Sequence, residues 1–235
     1  MEAAVVAGVG PGLGSSLSLA LAGEGYGIGL LSRRPESSEP VAKKIRDDGG
    51  KAVVVPVDVT DRIAVGHAVN KVCSELGPVT VLAYNASGST RGNFLDLKTE
   101  EIRRSFEVGA MGAVYLAQAI LPIMLKLGHG AISLTGATAS LRGRAGFAPM
   151  AMAKSSLRVL GQSLAREFHP KGIHVVHVIV DGQIDTPRLR ARDPSRDEDS
   201  IIPPDAIASA IIHAFKQPKN AWTHEIDVRP YSEKF

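Results

Sequence analysis

The amino-acid sequence predicts a Rossmann-type α/β fold, a doubly wound parallel sheet of about seven strands in a three-layer αβα arrangement. Short apolar runs alternate with helical patterns along the whole chain, and a glycine-rich turn follows the first run. Most runs are apolar at nearly every position, as expected for parallel strands covered on both faces. The runs are Ala3–Ala7, Ile28–Leu31, Ala52–Val57, Val79–Ala83, Ala131–Leu134, His174–Val180 and Glu225–Val228.

Amphipathic helices are predicted between these strands. In two of them, apolar residues recur at steps of three and four and therefore share one face. Thr99 predicts the N-cap of a long helix that reaches Lys126, because two glutamates follow it. A last helix is predicted to start at Pro204. The two apolar faces comprise Val65, Val69, Val72 and Leu76 in one helix, and Leu157, Leu160, Leu164 and Phe168 in the other.

The strand–helix alternation continues to the last residues, so we predict a single dinucleotide-binding domain over residues 1–235. One segment, Thr186–Pro203, departs from the pattern. It is dense in Arg, Asp and Pro, and we interpret it as a mobile excursion within the domain, not as a linker.

Composition excludes several classes of function. Hydrophobic residues make up 44% and charged residues 22% of the chain, which is typical of a globular protein. The net charge is only +3 and basic residues occur in pairs among acids, so nucleic-acid binding is not predicted. Cys73 is the only cysteine, which excludes an internal disulfide and favours a reducing compartment. His174 and His177 point to opposite faces of a predicted strand, so no metal site is predicted.

The N-terminal residues predict a strand and not a signal peptide, because the first apolar run breaks at Gly8 and no basic segment precedes it. No uninterrupted apolar stretch is long enough to span a bilayer. We therefore expect a cytoplasmic protein without a membrane partner.

The glycine-rich turn predicts a dinucleotide site. Gly8, Gly12 and Gly14 lie between the first strand and a helix that begins near Leu13. Residues without Cβ let the backbone approach a pyrophosphate, and the helix N-terminus offers free N–H groups and the positive end of its dipole. The alternative is a glycine-rich turn that serves packing alone.

The end of the second strand indicates which dinucleotide is bound. Ser32 and Arg33 stand where a carboxylate would hold the ribose 2′-hydroxyl of NAD, and an arginine there suits a 2′-phosphate instead. NADP(H) is therefore predicted in preference to NAD(H). The alternative is a solvated pair, Arg33 and Arg34.

Several motifs in order resemble those of the short-chain dehydrogenase/reductase family. They are the glycine spacing from Gly8 to Gly14, Asp58-Val59 after the third strand, Asn85-Ala86 after the fourth, Lys154 in the long helix after the fifth, and Asp181-Gly182 with Thr186 after the sixth. The resemblance spans essentially the whole chain. It implies a cofactor-binding set of Gly8, Gly12, Leu13, Gly14, Arg33, Asp58, Val59, Asn85, Ala86, Lys154, Ile184 and Thr186.

The resemblance implies particular roles for some of these residues. Asp58 would accept a hydrogen bond from the adenine amino group, Asn85-Ala86 would line the ribose, and Thr186 would contact the nicotinamide amide or the phosphates. Without the resemblance, Asp58 is interpreted as a polar strand end before a helix capped by Thr60, and Thr186 is equally a helix or turn cap.

The resemblance fails at the catalytic positions. The family uses an Asn-Ser-Tyr-Lys set, in which Tyr is the general acid and base, Ser polarises the substrate oxygen and Asn holds a water. Here the Tyr, Ser and Asn positions fall on Met150, Ala137 and Gly109, and only Lys154 remains. A thioether cannot donate a proton.

Lys154 has two interpretations. It binds the hydroxyls of the nicotinamide ribose, or it donates the proton directly with a lowered pKa. Asp181 is a further candidate acid or base, or a turn-forming residue. Arg142 and Arg144 either receive an anionic substrate at the mouth of the site or are solvated loop residues.

Three functions follow from these observations. The first is an oxidoreductase with a rearranged active site, acting on a small-molecule substrate that the sequence does not identify. The second is a cofactor-binding sensor or scaffold without redox activity, and the third is a non-redox isomerase or cyclase that uses the same pocket. The resemblance also implies a homodimer or homotetramer, paired through the helices that match Thr99–Lys126 and Ala151–Phe168.

Overall fold

The computed structural model describes residues 1–88 and 90–233. Within these residues, seven parallel strands form the central sheet and two short strands form a separate parallel pair. The strands are β1 (Ala3–Ala7), β2 (Gly27–Ser32), β3 (Ala52–Pro56), β4 (Val79–Tyr84), β5 (Gly130–Thr135), β6 (Ile173–Val180), β7 (Gln183–Ile184), β8 (Ile201–Ile202) and β9 (Glu225–Val228). The order in the large sheet is β3-β2-β1-β4-β5-β6-β9.

Helices cover both faces of this sheet. They are α1 (Leu13–Gly23), α2 (Glu39–Asp47), α3 (Arg62–Leu76), α4 (Thr99–Phe106), α5 (Gly112–Leu127), α6 (Ala148–Phe168), α7 (Pro187–Arg192) and α8 (Pro204–Phe215). A π-helical turn, Glu107–Met111, joins α4 to α5. Two cores result, one beneath α3, α5 and α6 and the other beneath α1, α2 and α8. The predicted doubly wound fold is confirmed.

Each strand of the large sheet lies within one residue of its predicted bounds. Every residue of β1, β2, β4 and β6 is buried, since both faces of the sheet are covered by helices. Strands of this kind are apolar throughout, which is why the sequence locates them well. The predicted apolar faces of α3 and α6 also pack into the core beneath them.

The chain crosses from one half of the sheet to the other between β1 and β4, which are neighbours in the sheet but far apart in sequence. The carboxyl ends of these two strands therefore diverge into helices on opposite sides. In open α/β sheets, this switch point is where a crevice for ligands forms.

Two predictions about helix starts are wrong by one residue. The long helix is capped by Lys98 and not by Thr99, because the Glu101 carboxylate accepts a hydrogen bond from the Lys98 backbone N–H at 3.1 Å. Helix α3 is capped by Asp61 and not by Thr60. The Asp61 carboxylate takes the two free N–H groups of the first turn.

The structure adds detail to one prediction about a longer segment and corrects another. The segment Thr186–Pro203 carries the helix α7 and the strand β8, which pairs with β7, and its mobility stays a prediction. The run Thr99–Leu127 is 29 residues of continuous helix and, by length and composition, could cross a membrane. Half of its most apolar window is buried inside the fold, and the expectation that no stretch is long enough to span a bilayer is therefore wrong.

Candidate active site

A cleft of about 560 Å³ opens at the switch point, at the carboxyl ends of β1, β2 and β4. Most residues of the predicted cofactor set line this cleft. They are Gly8, Leu13, Gly14, Arg33, Asp58, Val59, Asn85, Ala86, Ile184 and Thr186. Of the remaining two, Gly12 lies against Thr186 beside the cleft, and Lys154 lines a neighbouring cavity.

The glycine turn leaves no room for side chains at three positions. A Cβ on Gly8, whose φ is +87°, would stand 2.5 Å from the backbone nitrogen of Ala86. A Cβ on Gly14 would stand 2.6 Å from the Gly8 carbonyl oxygen, and one on Gly12 would stand 2.8 Å from Thr186 Cγ2. Gly10, in contrast, has open space around it. The spacing Gly8, Gly12, Gly14 is therefore dictated by close contacts, with backbone at Gly8 and Gly14 and with the Thr186 side chain at Gly12.

Asn85 ties the two halves of the sheet together at this point. Its side-chain Nδ2 donates to the Gly8 carbonyl oxygen at 3.1 Å, and its backbone N–H donates to the Ala7 carbonyl oxygen at 2.9 Å. Both bonds hold the glycine turn against the end of β4. Asn85 thus shapes the floor of the cleft through the backbone.

Asp58 lies at the far side of the cleft and is already engaged. Its Oδ1 accepts from the backbone N–H of Thr60 at 3.0 Å and from the Thr60 hydroxyl at 2.8 Å, and its Oδ2 pairs with Arg104 of α4. Burial favours a higher pKa for the Asp58 carboxyl, but the hydrogen bonds and charge of these partners bring it below its usual value. Asp58 is therefore an ionised acceptor.

The end of β2 presents two arginines to the cleft. Arg33 and Arg34 both line it and follow Ser32, whose hydroxyl donates to the Arg34 carbonyl oxygen at 2.8 Å. The Ser32 and Ser38 hydroxyl oxygens lie 2.6 Å apart, which fixes this loop to the start of α2. The loop therefore presents cationic side chains at the position that the sequence predicted.

A second cavity of about 480 Å³ adjoins the cleft and contains Lys154. Asn85, Ile184 and Thr186 line both spaces and form their common wall. Lys154 is only 3% exposed, and its ammonium donates to the Thr135 carbonyl oxygen at 2.6 Å. Burial lowers the pKa of Lys154 from 10.5 to about 8. The group can therefore change its charge within a narrow range above neutral pH.

Ala137 and Met150 line the same cavity as Lys154. Gly109 lies behind it in the π-helical turn, packed against α6. A Cβ at this position would stand 2.6 Å from Ala153 Cβ, so a larger side chain would require the two helices to move apart.

Asp181 and His177 are directed away from the cavity. The Asp181 carboxylate accepts from the Thr138 hydroxyl and lies 3.2 Å from an Arg229 nitrogen. His177 Nδ1 lies 3.0 Å from a Glu225 oxygen, and burial lowers the pKa of His177 to about 4. Neither Asp181 nor His177 is among the residues that line the cavity.

Sequence reasoning missed several residues of both spaces. Arg34, Ser37 and Arg188 line the cleft, and Arg91, Arg188 and Arg192 line the cavity. The sequence indicates Arg34 only as a member of the Arg33 and Arg34 pair. The others come from segments without a regular pattern, and their arrangement depends on loops that fold back over the sheet. Arg142 and Arg144, which the sequence suggested for the mouth, are not among the lining residues.

The fold and the glycine cradle at the switch point define a Rossmann-type protein of the dinucleotide-binding class. The family model for short chain dehydrogenases matches residues 2–197, and the chain belongs to the short-chain dehydrogenase/reductase family. The predicted family membership is confirmed.

Individual relatives are similar to this chain over nearly its whole length. An uncharacterised oxidoreductase of Staphylococcus aureus is 29% identical over 229 residues, covering 97% of each chain. A short-chain dehydrogenase of Rhodopseudomonas palustris, solved by crystallography, is 32% identical with a TM-score of 0.86 and covers 98% of this chain and 99% of that one. A metagenomic short-chain oxidoreductase in complex with NADP has a TM-score of 0.83 at 24% identity over 97% of each chain. At this identity, the similarity to the metagenomic protein shows a shared fold alone.

Proposed function

We propose that this chain is an NADP(H)-dependent oxidoreductase of a small carbonyl or alcohol substrate, with Lys154 as the ionisable group at its reaction centre. One observation carries the proposal. The cleft and the cavity that contains Lys154 share a wall, so a dinucleotide in the first would present one end to a substrate in the second.

The residues of the cleft fit a phosphorylated dinucleotide. Gly8, Gly12 and Gly14 form a cradle that a Cβ would fill, next to the N-terminus of α1, whose first N–H groups suit a pyrophosphate. Asp58, held by Arg104, suits the adenine amino group. Arg33 and Arg34 suit a 2′-phosphate, which favours NADP(H) over NAD(H). When bound, the nicotinamide supplies or accepts a hydride.

Among the protein's own residues, Lys154 makes the main proposed contribution to the reaction. Its ammonium lies in the cavity wall, is oriented by the Thr135 carbonyl, and has a pKa close enough to neutral to exchange a proton. Its two interpretations remain distinct: proton donor to the substrate oxygen, or hydrogen-bond donor to the nicotinamide ribose.

The rest of the proposed site is rearranged relative to the family. Met150 and Ala137, at the family's Tyr and Ser positions, leave an apolar wall beside Lys154. Gly109, at the Asn position, is closed to a side chain by Ala153. We propose that Lys154 or a water takes over the proton transfer.

The same wall favours a second candidate function. Since a thioether and a methyl group cannot donate a proton, a cofactor-binding protein without redox activity fits the geometry as well. A non-redox isomerase or cyclase is the corresponding catalytic alternative.

Two measurements test the proposal. Calorimetric titration with NADPH and NADH tests the cofactor; we expect the tighter binding for NADPH. Trp222 is unsuited as a fluorescent probe, because it stacks on His174 near the start of β6, away from the cleft. Tighter binding of NADH would overturn the preference.

The activity is tested by NADPH consumption over quinones, diketones and aldehydes, with Lys154→Ala and Met150→Tyr beside the wild type. Turnover that is lost in Lys154→Ala supports a rearranged oxidoreductase, and a further loss in Met150→Tyr strengthens it. Firm cofactor binding without turnover, together with activity created by Met150→Tyr, would favour the non-redox candidate.

We also propose a cytoplasmic homo-oligomer, in keeping with the family. Light scattering that shows a monomer at micromolar concentration would contradict the oligomer.

A further inference from the structure

Three arginines surround the cavity that contains Lys154, and we call them the arginine rim: Arg91, Arg188 and Arg192. They come from two separate loops, one after β4 and one that carries α7. Among the described residues that line this cavity, none is acidic. With Lys154, the cavity therefore presents four cationic groups and no carboxylate.

On helix α7 the lack of an ion-pair partner is selective, and Arg192 donates to a neutral amide oxygen, Gln183 Oε1, at 3.3 Å. Arg190, on the same short helix, binds the Asp185 carboxylate with two hydrogen bonds of 2.8 and 3.0 Å and lies 3.5 Å from a Glu198 oxygen. Within the described part of the chain, Arg188 and Arg192 form no ion pair. They lie four residues apart and thus on one face of the helix, and it is these two that line the cavity.

The position of α7 is held at its N-terminus by Thr186 and along its length by Leu189. The Thr186 hydroxyl accepts from the Leu189 backbone N–H at 3.1 Å and caps the helix, while the Thr186 methyl group lies where a Cβ on Gly12 of the glycine turn would meet it at 2.8 Å. Leu189 is buried beneath the helix. The two arginines are therefore presented from a short anchored helix beside the dinucleotide cleft.

Arg91 approaches from the opposite loop and is also held in place. Its guanidinium carbon lies 4.5 Å from the centre of the Phe147 ring, a cation–π distance. Burial and the charges of Arg192 and Arg188 all lower the pKa of the Arg91 guanidinium. Like charges brought together without a counter-ion repel one another, and an anion placed between them would relieve that repulsion.

We propose that the arginine rim binds an anionic group, a carboxylate or a phosphate, on the substrate of this enzyme. The guanidinium groups suit the paired oxygens of either anion, and Lys154 marks the reacting end of the same cavity. The proposal rests on the proposed function for the location of the reaction. Arg188 lines both the cavity and the cleft, whereas Arg91 and Arg192 line the cavity but not the cleft. The variants are therefore made at Arg91 and Arg192.

The test uses two pairs of carbonyl compounds that differ in charge: levulinate with its methyl ester, and dihydroxyacetone phosphate with dihydroxyacetone. Binding to NADP-saturated protein is measured by calorimetry. We expect the charged member of at least one pair to bind about tenfold tighter or more, with the advantage reduced by added salt. The pair that shows it distinguishes a carboxylate from a phosphate. Equal binding of charged and neutral members in both pairs would overturn the proposal.

Matched variants locate the effect. Arg91→Gln and Arg192→Gln should each remove most of the charge preference while the affinity for NADPH stays unchanged. Arg190→Gln is the control on the same helix and should keep the preference. An equal loss in Arg190→Gln would show that the effect comes from the helix and not from the rim, and would overturn the proposal.

The design separates this proposal from the proposed function. If the protein binds no dinucleotide, the proposed function fails, and the same titrations on the cofactor-free protein decide the arginine rim by the same criteria. If the dinucleotide binds but charge makes no difference, only the rim proposal fails.

Discussion

The cleft and the adjoining cavity are built from different parts of the chain. Backbone forms the cradle of the cleft, where Gly8 and Gly14 leave no space for a Cβ and Asn85 bonds to a main-chain carbonyl. Side chains form the cavity, whose lining includes Lys154, Met150 and the arginine rim. The cradle tolerates only glycine where a Cβ would meet a neighbour, whereas most side chains of a cavity wall can be exchanged without disturbing the fold. The cradle therefore marks the family, and the cavity is where its members can differ.

The strongest test of this difference is Lys154→Met, which removes the ammonium but keeps an apolar side chain of similar length. If Lys154 is the proton donor, turnover should fall by about 10²–10⁴ while the affinity for NADPH is retained. If it holds the ribose, affinity falls in parallel with turnover. Steady-state kinetics and calorimetry separate the two roles.

Lys71→Met, at an exposed lysine of α3, is the matched control and should leave both quantities unchanged. Unchanged turnover in Lys154→Met would show that the cavity chemistry does not depend on this residue.

The next test is Gly8→Ala in the cradle. The added Cβ would collide with the backbone of Ala86, at a φ of +87° that side chains disfavour, so we expect a lower melting temperature and loss of NADPH affinity by about a hundredfold. Thermal unfolding and calorimetry measure the two effects.

Gly10→Ala makes the same change in the same turn, where nothing lies within reach of the new Cβ. Its melting temperature should match the wild type. Equal destabilisation by Gly8→Ala and Gly10→Ala would argue against a cradle dictated by backbone contacts.

A smaller effect is expected from Arg33→Ala. Loss of a charge-assisted contact to the 2′-phosphate should weaken NADPH about tenfold or more and leave NADH unchanged. NADH is the internal control in the same titration. Parallel weakening of both cofactors would mean that Arg33 does not read the phosphate.

A last effect concerns stability and pH. The pKa of Lys154 is about 8 in the folded chain against 10.5 as its ordinary value, so the unfolded state binds more protons between these values. The free energy of unfolding of the wild type should therefore rise relative to Lys154→Met from pH 8 to 10.5, by up to about 1.4 kcal/mol per pH unit. Denaturant unfolding of the cofactor-free proteins measures it. A difference that is flat across this range would contradict the depressed pKa.

The residues of the cleft could be predicted from the sequence more fully than those of the cavity. Gly8, Asp58 and Asn85 follow strands that the sequence predicts, and the carboxyl ends of parallel strands meet at one edge of the sheet. Their convergence on one cleft was therefore expected. Arg104 on Asp58, and Arg91 facing α7, join residues from segments that no periodic pattern relates, so the sequence indicated neither contact.

Helix starts also show what the sequence predicts and what only local contacts decide. Thr99 and Thr60 are good cap residues by type, yet Lys98 and Asp61 occupy the cap positions. The Asp61 carboxylate accepts from two N–H groups of the first turn of its helix, and the Glu101 carboxylate accepts from the N–H of the cap residue Lys98. Propensity ranks the candidates within a turn, and local hydrogen bonding selects among them.

The sequence by itself determined the succession of strands and helices along the chain, the glycine cradle and the family. Burial on both faces of the sheet and the exclusion of Cβ atoms restrict residue types directly. Only the tertiary structure decided that Lys154 lies buried against the Thr135 carbonyl, that Arg190 is neutralised, and that Arg91 and Arg192 line one cavity. Charges and hydrogen bonds act over a few ångströms between residues distant in sequence. Their pairing is therefore settled by how the loops fold over the sheet, and not by residue type.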